Sequence, residues 1–140
     1  FLRLHVLLKI PLSKDFDQAS RQVLSALHEG RFYNAVNSAA QATGFRFWAQ
    51  KGQKQFLMGE TTFIDPQTKL HIQANFPYAH EIMLIHNGKK ILASTENKLV
   101  YLPEQPGFYR VEVYLKERTP MRKDIPWILS NPIFFREKNL

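Results

Sequence analysis

Tyr109, Val111, Val113 and Leu115 alternate with Arg110, Glu112, Tyr114 and Lys116, immediately after a Pro106-Gly107 turn signal. Side chains two apart share one face of a strand, so this segment has one face for a core and one for water. The same period recurs where Phe45, Phe47 and Ala49 alternate with Arg46, Trp48 and Gln50, and where Leu70, Ile72, Ala74 and Phe76 alternate with His71, Gln73 and Asn75. Between 82–85 and 90–93 stands His86-Asn87-Gly88-Lys89. Its Asn-Gly pair suits a type I′ hairpin, which requires positive φ at both central positions. Short strands punctuated about every 8–12 residues predict a β-sandwich over 44–137, of about the size of an immunoglobulin-like domain. Tyr109, two residues past Gly107, has the placement of the tyrosine that ties a sandwich corner to its loop.

The first forty residues follow a different period. Phe16, Ala19, Val23, Leu24 and Leu27 recur at helical spacing and form one apolar stripe. Ser13 or Asp15 suits the N-cap, Asp15 with Gln18 has capping-box spacing, and Gly30 can take the left-handed conformation that stops a helix. A helix over 15–29 is predicted. An apolar segment at 2–10, closed by Pro11, precedes it, and a second extended segment at 31–37 follows. Strand, helix, strand is the order of a βαβ-like unit from a parallel α/β fold, present once and unable to make a sheet alone. The chain opens at Phe1 inside a strand pattern, so a longer parent protein is expected.

Composition removes several chemistries. With no cysteine among 140 residues, disulfides, thiolate nucleophiles and cysteine-ligated metals are excluded; the compartment, cytoplasmic or periplasmic, stays open. A chain of this length buries roughly 68–70% of its unfolded surface and needs no staple. The net charge of +7 is spread along the sequence, with no basic run longer than Lys89-Lys90 or Arg122-Lys123, so a solvated mixed surface is expected and no nucleic-acid partner. No stretch has the length of a membrane span. The histidines His5, His28, His71, His80 and His86 lack the i+2 or i+4 spacing of metal ligands, no serine sits in a G-x-S-x-G elbow, and no glycine-rich phosphate loop occurs. Glu60 and Asp65 are close enough in sequence to converge in a loop. No catalytic residue, metal or cofactor is assigned to this chain.

The aromatic residues admit two roles. Trp48, Trp127, Tyr78 and Tyr101 suit either the core and corners of a sandwich or a flat platform for sugars or bases. Pro126 and Pro132 bracket Trp127, which predicts a shaped loop or edge segment leading into a closing strand at 133–135, with Trp127 as plug or platform. Trp127, Trp48, Arg122 and Lys123 are the candidate ligand or interdomain contacts.

Two stretches resemble a known family. Gly107-Phe108-Tyr109-Arg110-Val111-Glu112-Val113-Tyr114 and Pro126-Trp127-Ile128-Leu129-Ser130-Asn131-Pro132-Ile133-Phe134 are similar to the C-terminal signature of bacterial PHP-domain proteins, the polymerase and histidinol phosphatase family of metal-dependent phosphoesterases. His5-Val6-Leu7-Leu8, the stretch from Val23 to Tyr33, and Gly44-Phe45-Arg46-Phe47-Trp48-Ala49 look like the last barrel unit of such a protein running into its appended β-domain, whereas 51–100 matches only in pattern. The resemblance implies a parent whose barrel holds divalent metals through His-x-His and Asp-x-His motifs. None of those motifs occurs here, so no catalytic residue carries over. The expected fold is therefore mostly β: a strand-helix-strand remnant of an α/β barrel at 1–40, then an immunoglobulin-like β-sandwich at 41–140. The expected role is a non-catalytic C-terminal accessory domain that covers or positions its own upstream catalytic domain or mediates assembly, with a homodimer as one form. The alternative is a sandwich module that binds carbohydrate or another surface ligand.

Overall fold

The structure is a computed structural model that describes residues 1–117 and 121–139. Its elements in chain order are β1 (Leu2–Val6), α1 (Phe16–His28), β2 (Phe32–Val36), β3 (Phe45–Lys51), β4 (Lys54–Leu57), β5 (Thr61–Phe63), β6 (Thr68–Ala74), β7 (His80–His86), β8 (Lys89–Ser94), β9 (Lys98–Tyr101), β10 (Gly107–Leu115), β11 (Ile128–Ser130) and β12 (Ile133–Arg136). The protein is mostly β, with one helix among the described residues. That helix is neither long nor apolar enough to cross a membrane.

Two sheets form. One is antiparallel in the order β4-β3-β6-β9, and the other gathers eight strands around β10. On one side β10 pairs with β7, which carries β8. The other side is divided: Glu112 and Val113 pair with β11, which leads to β2 and β1, while residues 107–109 pair with β12, which carries β5 in parallel. Asn131-Pro132 separates β11 from β12, because proline brings no ladder N–H. At this break the buried Val111 N–H donates to Ser130 Oγ at 2.7 Å instead of being left unpaired.

The alternating segments turn their apolar sides toward each other. Phe45, Phe47, Ala49, Leu70 and Ile72 from the four-stranded sheet meet Ile82, Leu84, Val111 and Val113 from the other in one buried cluster. Asn87 (φ 47°) and Gly88 (φ 82°) make the tight turn between β7 and β8. Asn87 Oδ1 accepts the Phe108 N–H at 3.0 Å, which pins this turn to the start of β10. Tyr109 is buried and donates its hydroxyl to the Gln105 carbonyl at 2.7 Å, the expected corner contact. The segment expected as a shaped loop or edge segment around Trp127 contains a strand, β11, which is interior to the sheet, held between β10 and β2.

The N-terminal region departs further from expectation. α1 forms with Asp15 accepting the Gln18 N–H at 2.9 Å, but the Gln18 side chain takes the Ser13 hydroxyl, so the capping box is half made. Its other end is a Schellman motif: Gly30 is at φ 76°, Arg31 N–H donates to Ala26 O, and Gly30 N–H to Leu27 O. The βαβ-like unit does not form, because β1 pairs antiparallel with β2 from Leu2↔Val36 to Val6↔Phe32. β2 is committed to the sandwich by buried Tyr33 and Ala35, and the connection through α1 is long enough to bring β1 to its free edge in either direction. Residue 40 accordingly marks no division between sheets, since β2 lies between β1 and β11. The helical stripe is covered only in part: Ala19, Val23 and Leu27 are half-buried, whereas Phe16 is 80% and Leu24 65% exposed. The C-terminal end of α1 is anchored to the sandwich, where Asn131 Nδ2 donates to Gly30 O at 3.0 Å and Gly59 packs against the Glu29-Gly30 backbone, while mid-helix Gln22 donates to Pro11 O and accepts the Ser13 N–H of the preceding segment.

Candidate functional site

The four candidate contact residues lie apart, and no hydrogen bond or ring contact joins one tryptophan to the other or to Arg122 and Lys123. Trp127 is 1% exposed. Its Nε1 donates to the Ala40 carbonyl at 3.1 Å, and its ring meets Phe76 at 4.7 Å and Tyr78 at 6.0 Å, edge to face. It is packed as core and presents no face to a ligand. Arg122 and Lys123 are exposed in the segment between β10 and β11. There Arg122 holds Asp124 through bonds of 3.0 and 2.7 Å, an exposed pair that contributes little.

Trp48 differs. It is half-buried on the outer side of the four-stranded sheet, stacks on His71 with centroids 5.1 Å apart and planes within 10°, and donates Nε1 to Gln50 Oε1 at 3.0 Å. Because Phe45, Phe47 and Ala49 turn inward, β3 must turn Arg46, Trp48 and Gln50 outward. The strand register then sets Leu57, Trp48, His71 and Val100 in one line across all four strands. β4 reaches only to Leu57, opposite Trp48, so residues 45–47 have no strand on that side. A groove of about 220 Å³ opens there, lined by Leu7, Leu8, Arg46, Trp48 and Leu57 among others. Burial, and then the cation of Lys69, lower the His71 pKa, which keeps the stacked ring neutral at neutral pH.

Several other titratable groups have partners within the fold. His5 stacks on Tyr33, His86 stacks on Tyr109, and buried His80 bonds Tyr78 O through Nδ1 at 2.8 Å. Among the described residues no three His, Asp or Glu gather as a metal-ligand set. Burial pushes the Tyr33 and Tyr109 hydroxyls up to about 12, so both stay protonated donors. Glu60 and Asp65 do not converge as an acid-base pair. Burial would raise Glu60, but hydrogen bonds from Lys9 and the Leu57 N–H outweigh it and lower the pKa. The hydrogen bond from Lys51, joined by those from Gln67 and Lys138, holds Asp65 well below the usual carboxylate range. Two carboxylates held ionised by cations serve as anchors, and neither is a proton donor at neutral pH.

The outward direction of Trp48 and of His71 is legible in the alternation of each strand. Their meeting is not, because cross-strand register depends on which strands pair. Compared with family models, curated proteins and solved structures, the chain matches none.

Proposed function

We propose that the chain is a non-catalytic accessory domain, an immunoglobulin-like sandwich that docks another folded body on its N-terminal face. One observation carries this reading. Among the described residues, every large apolar side chain more than half exposed, Val100 apart, belongs to the first 24: Phe1, Leu2, Leu4, Ile10, Leu12, Phe16 and Leu24. Apolar surface concentrated in one region is the mark of an interaction surface, and the unpaired edge of β1 adds backbone groups ready for a further strand. The resemblance to PHP-domain proteins makes the catalytic barrel of such a protein the body to be covered or positioned, with the divalent metals held there. Docking rests on the exposed residues and stands without that identification. The Tyr109 corner supports the immunoglobulin-like assignment, while the parallel pairing of β5 with β12 departs from the usual arrangement.

In the purified chain the face has only a second copy to meet. Light scattering is expected to show a dimer or larger species, and the double variant Phe16→Asp, Leu24→Asp to give a monomer that keeps its fold by circular dichroism, with any fall in melting temperature no larger than the lost association accounts for. Removing residues 1–40 is not a clean test, because it takes β2 out of the sheet. A wild-type monomer whose α1 amides are fully protected from exchange would sink the docking reading, since it would mean that the helix needs no partner.

A further inference from the structure

The outer face of the four-stranded sheet has a composition that docking at the N-terminus leaves unexplained. Its central line carries the Trp48–His71 stack, ending in Val100, which is 55% exposed. One residue pair toward the start of β3, the cross-strand row reads Arg46, Gln73, Lys98; one pair the other way it reads Gln55, Gln50, Lys69. No outward position of these rows holds a carboxylate. Arg46, Lys69 and Lys98 are exposed, and none of the ion pairs among the described residues engages them. Positions i and i+2 are about 7 Å apart along a strand, so a cationic row lies on each side of the aromatic line, the two about 14 Å apart.

From this arrangement we infer that the face binds a linear polysaccharide bearing carboxylates. A chain laid along the strands crosses a cationic row, stacks one sugar on the indole, and reaches the second cationic row. Each cation then meets a sugar carboxylate, and the Gln50, Gln55 and Gln73 amides, with both donors and acceptors, match the hydroxyls between. A single-stranded nucleic acid fits less well, because it calls for several rings on which successive bases stack, and this face has one indole backed by an imidazole. The groove beside Trp48 and Arg46 gives a ring substituent room at one end of the line. Apart from that groove, which Leu7 and Leu8 help to line, the residues of this face are distinct from those of the N-terminal docking face, so the two readings are tested separately.

The test is calorimetric titration of the full chain with polygalacturonate, with the same polymer fully methyl-esterified, and with single-stranded oligothymidylate. Binding to the free acid is expected, weakening as salt rises, with little for the ester. Trp48→Ala should lower affinity about tenfold or more, the usual effect of losing one stacking ring, and Arg46→Gln should flatten the salt dependence. Val100→Glu places a carboxylate in the line at an exposed position; it should abolish binding with the fold unchanged by circular dichroism, and it keeps the test open if Trp48→Ala does not fold. Equal binding of acid and ester, tighter binding of oligothymidylate, no heat with any polymer, or full affinity in Val100→Glu overturns the assignment.

Discussion

In β3, β6 and β10 an apolar residue is covered by the sheet opposite, whereas in α1 residues as large as Phe16 and Leu24 face water. Both regions are well formed locally: α1 has an N-cap and a Schellman stop, and the β7–β8 hairpin has its Asn-Gly turn. What separates them is the second layer. The sandwich provides each inward side chain with a facing partner, as Tyr33 meets Phe45 at 5.0 Å across the sheets. The helix meets the sandwich just past its last turn, where Gly30, Gly59 and Asn131 come together, and mid-helix Gln22 ties it to Pro11 and Ser13 of the segment before it. Good local signals make an element; coverage on both sides makes it core.

The largest break in this contrast is Trp127→Ala. Truncating a fully buried indole, and losing its bond to Ala40, should cost about 3–5 kcal/mol in chemical denaturation. A loss under about 1 kcal/mol would remove Trp127 from the core. Gly59→Ala strikes the joint between the regions. At φ 88° a Cβ is strained, and here it would also overlap the Glu29 carbonyl oxygen. A cost of about 2–4 kcal/mol is expected, with exchange of the α1 amides accelerated more than those of β10.

Acid sharpens the contrast on a smaller scale. The Glu60 pKa is lowered in the folded protein, so its contribution is complete above its ordinary value of 4.5 and is lost as pH falls through the lower folded value. Asp65 behaves in the same way from its ordinary value of 3.8. Since Glu60 holds Lys9 at 2.8 Å, the N-terminal segment should loosen first on acidification, and Glu60→Gln should cost about 1 kcal/mol at neutral pH and flatten this pH dependence. The smallest effect belongs to Leu24→Gln. Its side chain is 65% exposed, so at dilutions that keep the chain monomeric the loss should be no more than about 0.5 kcal/mol, and a larger loss would show that the helix face is covered within the chain itself.

Period, capping and turn chemistry are carried by residues close in sequence, and they determined the helix, the hairpin turn, the Tyr109 corner and the inward sides of β3, β6 and β10. They also placed Trp48 and His71 on the outside of their strands. The tertiary structure decided which strands became neighbours. Strand-helix-strand order is compatible with parallel or antiparallel return; the burial of Tyr33 and Ala35 beside β11 fixes β2, and β1 returns antiparallel along its free edge. Trp127 had two readings because its neighbours Ala40 and Phe76 lie far from it in the chain. The line from Leu57 through Trp48 and His71 to Val100 likewise needs the registers of three strand pairs at once. Local patterns assign a side chain to a face; register and layer packing, which depend on distant segments competing for the same edge, decide what that face meets.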